Sequence, residues 1–239
     1  MDLAETITAR PGLHVVVVAA GDVDDDELRT AVGSGAGTDG SAPTIIAADG
    51  AAGRVLAAGL RPDLVVGDGD SLDAESATRL ERLGVAVHSF AADKDESDTE
   101  LSLLAALHQG AARVTLLGAL GGPRPEHGIA NLLLLADPRF DGLPMVLAAG
   151  ATTMTRTGTA DGPGRLDIAG DAGDWVSLFP LGDAVEGVFT QGLRYPLRGD
   201  TLRLGPSRGL SNELLGTEAV VTSRRGRLLV VRTSRSGGR

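Results

Sequence analysis

Through the first 150 residues, short apolar runs rich in valine and isoleucine and bounded by glycine alternate with longer alanine- and leucine-rich stretches. This is the rhythm of strands and helices in an α/β layer. Strands are predicted at Val15–Val18, Thr44–Ala47, Leu64–Val66, Val85–Val87, Val114–Leu117 and Met145–Ala148. Several of these runs are apolar on successive residues instead of alternating, so both faces must be covered, as in a parallel sheet flanked by helices. Helices are predicted at Asp25–Val32, Ala51–Ala58, Ala74–Leu83, Asp98–His108 and Gly128–Ala136. After about Gly150 the texture turns to threonine, glycine and alternating residues. Short strands are predicted there at Trp175–Leu178, Ala184–Thr190, Thr201–Leu204, Thr217–Ser223 and Arg227–Arg232. The fold class is therefore α/β: an N-terminal parallel-sheet domain, residues 1–150, followed by a small all-β, sandwich-like domain, residues 151–239. The stretches Gly33–Ser41 and Ser234–Arg239 have little to bury and read as mobile.

Composition narrows the function. Thirty-two acidic against 22 basic residues leave a formal charge of −10 over 239 residues, which disfavours a binder that must neutralise nucleic-acid phosphates. An aromatic content of 3% argues equally against base stacking. The chain has no cysteine, so disulfides, thiolate metal sites and cysteine nucleophiles are excluded. No apolar run approaches the ~20 residues that span a bilayer. Met1–Pro11 carries acids and no basic segment ahead of the apolar run His14–Ala20, which reads against a signal peptide. A soluble cytoplasmic protein is expected, without nucleic acid or membrane as partner.

Some motif matches fail on context. Gly35–Gly40 fits GxGxxG but precedes a strand instead of opening a helix. Gly205–Gly209 fits GxSxG, yet no helix follows the serine and no histidine lies downstream. The acidic run Asp22–Glu27 reads as a solvated loop and helix start. His14, His88 and His108 read as strand-edge or helix-surface residues.

Three segments carry chemistry. Gly67-Asp68-Gly69-Asp70-Ser71 follows an apolar strand, at the end where open α/β sheets bind ligands. Residues two apart in extended backbone share a face, so Asp68 and Asp70 can converge on one hard cation. Asp93-Lys94-Asp95-Glu96-Ser97-Asp98-Thr99-Glu100 follows the next strand and holds the only lysine. Ser97 and Glu100 there form a capping box for the helix, leaving Asp93, Asp95 and Asp98 crowded and in need of a metal or a cationic ligand. Gly118–His127 then joins a glycine-rich backbone, Arg124 and His127 to a helix start, a plausible phosphate cradle.

These residues, taken in order, resemble the thiamine pyrophosphokinases, bacterial ones in particular. The resemblance runs through Ala48-Asp49-Gly50-Ala51, Pro62-Asp63-Leu64, the GDGDS motif, Lys94-Asp95 with Ser97–Glu100, and Gly121–Asn131. It continues in Ser177–Leu181, Gly192–Leu197 and Gly209–Glu213, and so covers nearly the whole chain. It implies a homodimer that transfers a diphosphoryl group from ATP to the thiamine hydroxyl with Mg²⁺, giving thiamine diphosphate and AMP, its thiamine pocket lying between subunits. In that likeness Asp68, Asp70 and Asp95 would hold magnesium and phosphates, and Asp98 would face thiamine. Asp49, Gly50, Lys94, Arg124, His127 and Asn131 would contact the nucleotide, and Ser211 and Asn212 would close the pocket from the partner chain. The sequence departs from the family at Gly69, usually phenylalanine, at Ala51, usually glycine, and at Gly121–Gly128, usually an unbroken GGRLDHT. The altered Pro123–Gly128 loop leaves as one alternative a sensing module that has lost turnover; the other is a diphosphotransferase for another acceptor, since the ATP side of the motif series is stronger than the acceptor side.

Overall fold

A computed structural model describes residues 12–235 apart from 36, 38, 39, 91, 92 and 94. Lys94, the segment Met1–Pro11, and parts of the Gly33–Ser41 and Ser234–Arg239 stretches lie outside the described residues. The chain divides into two compact units: one runs up to Leu132 and adds Leu143–Ala149, and the other comprises Leu133–Gly142 and the residues from Gly150 onward.

In the first unit strands β1 (Leu13–Val18), β2 (Thr44–Ala48), β3 (Leu64–Gly67), β4 (Ala86–Ser89), β5 (Ala111–Leu117) and β6 (Met145–Ala149) alternate with helices α1 (Asp25–Ser34), α2 (Asp49–Ala57), α3 (Ala74–Arg82), α4 (Asp98–His108) and α5 (Pro125–Leu133). The strands pair in parallel in the order β6-β5-β1-β2-β3-β4. All of β1 is buried, the mark of a central strand covered on both faces that its unbroken valine run predicts. Helix α4 packs against β1, β2, β3 and β5 and buries Thr99, Leu101, Ser102, Leu103, Ala105 and Ala106. The chain moves outward from β1 through β2 to β4, then returns to the other side of β1 with β5. That reversal opens a crevice at the carboxyl ends of β1 and β5, where sheets of this kind bind ligands.

His14 corrects its expected place at a strand edge, because β1 lies between β5 and β2 and the side chain is buried. Its Nδ1 lies 2.6 Å from the Gly35 carbonyl and Nε2 2.9 Å from the Thr115 hydroxyl. A carbonyl can only accept, so Nδ1 donates, and the ring can pair its Nε2 with the Thr115 hydroxyl as donor or acceptor. Burial, aided by the Arg113 charge, holds its pKa below the ordinary 6.5 against the opposing pull of the Gly35 bond. The native state therefore resists a proton that the unfolded chain accepts, so this stability is complete above pH 6.5 and is lost progressively as pH falls below it, by at most about 1.4 kcal/mol per pH unit. Urea melts should show that slope below pH 6.5, and His14→Gln should flatten it; an unchanged slope would place the acid sensitivity elsewhere.

The second unit is all-β. Strands β7 (Thr152–Thr157), β8 (Gly164–Ala169), β9 (Trp175–Pro180), β10 (Ala184–Gln191), β11 (Arg198–Arg203), β12 (Asn212–Glu213), β13 (Glu218–Ser223) and β14 (Leu228–Thr233) form two sheets ordered β12-β9-β14-β7 and β11-β10-β13-β8. Residues from both, among them Ile168, Val176, Leu178, Val185, Val188, Leu202, Val221 and Val230, meet in one core, as in a sandwich. Strands β7 and β8 escape the hydrophobic pattern because Thr152–Thr157 is half-buried for most of its length and Gly164–Ala169 offers only Leu166 and Ile168 as large apolar residues, separated by Asp167.

Candidate active site

The loops at the carboxyl ends of β1, β2, β3 and β5, with the amino end of α4, surround a cavity of about 650 Å³, within the range of small-ligand sites. Each wall has a local cause. Helix α2 begins at Asp49, two residues before the predicted start, which sets the Asp49 carboxylate at the mouth of the sheet. That carboxylate accepts from Gly50 N–H at 2.6 Å and from Gly69 N–H at 2.8 Å. Gly67 makes this possible, because a Cβ there would stand 2.5 Å from the Asp49 Cγ. Gly69 has φ +82°, a conformation that favours glycine over the bulky residue usual in the family.

Asp49, Asp68 and Asp70 each offer an oxygen within 4.8 Å of the other two. Hard oxygen donors at this separation suit a divalent ion such as magnesium. Asp68 and Asp70 do meet, but in a bend past the end of β3, with Gly69 at φ +82° and Asp70 N–H donating to Asp68 Oδ1 at 3.2 Å, and not in the extended backbone expected; Asp49 joins them from the end of β2. Asp95 is exposed in the loop before α4 and is not one of this group. Asp49 is itself buried, and its pKa is raised, first by that burial and further by the Asp98 carboxylate, against the lowering pull of the Gly69 and Gly50 N–H groups. A buried carboxyl beside a second one is a place where positive charge is welcome.

Asp98 is the first residue of α4, and Ser97 caps that helix by accepting from Glu100 N–H at 3.2 Å. The two neighbours therefore have separable roles. Ser97→Ala should lower the unfolding free energy by about 0.5–2 kcal/mol. Asp98→Asn should leave melting nearly unchanged while bringing the Asp49 carboxyl toward its ordinary range and removing activity. Urea melts and carboxyl NMR titration check both, and an Asp98 variant that is only destabilised would reduce Asp98 to a helix-start residue.

The opposite wall is the loop after β5. Helix α5 starts at Pro125, three residues ahead of the predicted start, because proline suits the first helical position. Arg124 thus stands at the helix start, and His127 lies in the first turn. Both line the cavity with Gly121, Gly122 and Pro123. Arg124 pairs with Glu126 at 2.7 Å, the side chains 67% and 61% exposed, a solvent-screened ion pair easily surrendered to a ligand. Asn131 is buried and donates to the Ala119 carbonyl at 2.9 Å, tying α5 to the loop. Gly50 lies beside Asp49 in the lining.

In the second unit Asn212 is also buried. Its Oδ1 accepts from Tyr195 N–H and Glu213 N–H, both at 2.9 Å, and its Nδ2 donates to the Tyr195 carbonyl at 2.7 Å. Asn212 thereby fixes the Tyr195 backbone with the ring 59% exposed. Ser211 is exposed at φ +59°. Tyr195 is the only tyrosine in the chain.

Residues 40–147 match the family described as "Thiamin pyrophosphokinase, catalytic domain", and residues 165–228 match "Thiamin pyrophosphokinase, vitamin B1 binding domain". The chain belongs to the thiamine pyrophosphokinase family. A thiamine pyrophosphokinase of Bacillus subtilis strain 168 is 27% identical over 181 residues, 75% of this chain and 82% of that protein. The crystal structure of thiamin pyrophosphokinase from Geobacillus thermodenitrificans superposes with a TM-score of 0.77 at 28% identity, covering 94% of this chain and 99% of that one. That of the Bacillus subtilis protein gives 0.79 at 24% identity over 93% and 99%, a likeness of fold. Membership in the thiamine pyrophosphokinase family makes this an ATP-dependent pyrophosphoryl transferase. Among the described residues no helix is long and apolar enough to cross a membrane.

Proposed function

We propose that this chain is a thiamine diphosphokinase: the thiamine hydroxyl oxygen attacks the β-phosphorus of ATP, the α–β bridging bond breaks, AMP leaves and the hydroxyl proton is released. The observation that carries this reading is one cavity faced on one side by Asp49, Asp68 and Asp98 and on the other by the glycine loop, Arg124 and His127. Such a transfer needs little covalent help from the protein; it needs in-line placement and charge neutralisation. Magnesium, held by Asp49, Asp68 and Asp70 and joined in the family likeness by Asp95, would neutralise phosphate charge. Arg124, released from Glu126, and His127 face the phosphates, and Gly50 leaves the backbone open to them. Asn131 acts through the loop it holds, and Lys94 takes a phosphate in the family likeness. Asp98 attracts the thiamine cation. Incubation with ATP, Mg²⁺ and thiamine, with product analysis, tests the proposal: thiamine diphosphate and AMP are expected. ADP, or transfer to another acceptor only, would overturn it.

The Arg124–Glu126 pair favours a second reading, a nucleotide sensor without turnover, which the same assay excludes as soon as AMP appears.

Within the proposal the enzyme is a cytoplasmic homodimer whose thiamine site is completed by the partner chain. Ser211 offers an exposed hydroxyl, and Asn212 presents the Tyr195 ring, a stacking face for an aromatic cation. Co-expressing Asp68→Asn with a Ser211/Asn212 double alanine variant should then restore activity that neither has alone, since one mixed site is intact. No recovery in a verified mixed dimer would mean the site is built within one chain.

A further inference from the structure

Asp22 is left unused by the reading above and lies outside residues 40–147 matched to the catalytic-domain family. The strand pairing of β1 with β5 continues beyond both strands as a ladder between their loops. Ala19 N–H donates to the Leu117 carbonyl at 2.8 Å, Gly21 N–H to Gly118 at 2.7 Å, and Asp22 N–H to Leu120 at 2.8 Å. The last rung is a side chain: the Asp22 Oδ2 accepts from Gly122 N–H at 3.0 Å. Both Gly121 and Gly122 sit at φ +78°, and a Cβ on Gly121 would fall on the Asp22 carboxylate. Asp22 is in turn held on both sides, since Arg54 Nη1 donates to the Gly21 carbonyl at 2.7 Å and to the Val23 carbonyl at 3.3 Å. Two successive glycines have the greatest backbone freedom of any pair, so a wall built from them keeps one shape only if something outside grips it. Gly21, Gly121, Gly122, Pro123 and Arg124 line the cavity, whereas Asp22 does not. Asp22 therefore touches the wall of the cavity without being part of its lining.

We infer that Asp22 is a positioning residue for the nucleotide's phosphate chain, clasping the Gly121–Gly122 loop from behind so that Arg124 and the loop backbone meet the phosphates preformed. The inference rests on the diphosphokinase reading of this cavity. It requires an acceptor at residue 22, not a negative charge.

Three versions of the full-length protein separate the possibilities: wild type, Asp22→Ala and Asp22→Asn, the last keeping an oxygen that accepts from Gly122. Amide hydrogen exchange of the ligand-free protein reads the clasp directly. Asp22→Ala should accelerate exchange at Gly122, by up to roughly tenfold for the loss of one hydrogen bond, and Asp22→Asn should stay near wild type. Steady-state assays should then show KM for ATP raised about tenfold in Asp22→Ala on the same scale, KM for thiamine unchanged, and recovery in Asp22→Asn. Calorimetry with MgADP should follow the KM for ATP. Equal loss of both KM values, failure of asparagine to restore, or unchanged exchange at Gly122 would each overturn the clasp while leaving the reaction assignment standing. A wild-type protein that binds no MgADP and releases no AMP would instead remove the reaction assignment and this inference with it.

Discussion

Asp68→Asn is expected to lower the rate of AMP release by about a thousandfold while the protein stays folded. The side chain keeps its shape and its place at the end of β3, and Asp68 is only half-buried, so little packing is at stake. What changes is charge: one of the three oxygens that lie within 4.8 Å of one another in the Asp49, Asp68 and Asp70 group ceases to be a carboxylate. A divalent ion at phosphates stabilises developing charge by several kcal/mol, and each 1.36 kcal/mol is about tenfold in rate, so losing most of that ion gives the stated size. Asp70→Asn should fall in the same direction. Binding of Mg²⁺ to the native state should also raise the melting temperature of the wild type in a concentration-dependent way, and both variants should lose that response. Near-normal turnover in both, with Mg²⁺ still stabilising them, would move the cation away from these carboxylates.

The second large effect concerns folding of the all-β unit. Asp141 receives the guanidinium groups of both Arg156 and Arg227, whose side chains are 6% and 12% exposed. Arg227 reaches it at 2.9 and 2.6 Å, and Arg156 also donates to the Phe140 carbonyl at 2.8 Å. Removing the carboxylate leaves two buried cations facing each other. Asp141→Ala should therefore cost about 3–5 kcal/mol, the range for breaking a buried pair, and lower the melting temperature by roughly 10 °C or more. The Arg227 hydrogen bond, then the charges of Arg227 and Arg156, hold the Asp141 pKa below the ordinary 3.8. That stability is complete above pH 3.8 and is lost as pH falls through the lower native value. The acid limb of the wild type should be shallower in Asp141→Ala. Replacing all three residues by apolar ones should recover much of the loss, because a buried network can often be exchanged for hydrophobic packing. A melting change of a degree or two in Asp141→Ala would show that water reaches the site.

Two levels of information meet in this protein, and particular residues separate them. Periodicity reports local burial, which is why the unbroken valines of β1 predict a covered central strand and why Ser97 and Glu100 mark the start of α4. That Asp68 and Asp70 lie close was legible from their spacing, but the extended backbone assumed for them is not what joins them: they sit past the end of β3 in a bend with Gly69 at φ +82°. Only the folded chain brings Asp49 to them. The parallel register that pairs Ala48 with Val66 carries the residue after β2 to the glycine that ends β3, and that register depends on contacts between distant segments. The same holds for Asp22 and Gly122, joined because β1 and β5 are neighbours at the reversal of the sheet, and for Asp141 with Arg156 and Arg227, whose burial is settled by the sandwich around them. His14 was misplaced because its strand neighbours do not disclose that Gly35 and Thr115 wait to receive its ring. The sequence by itself determined most of the elements, though not β7, β8 and β12, and the chemistry on offer, because those follow from local pattern; the tertiary structure decided which charges meet, because long-range strand order sets those distances.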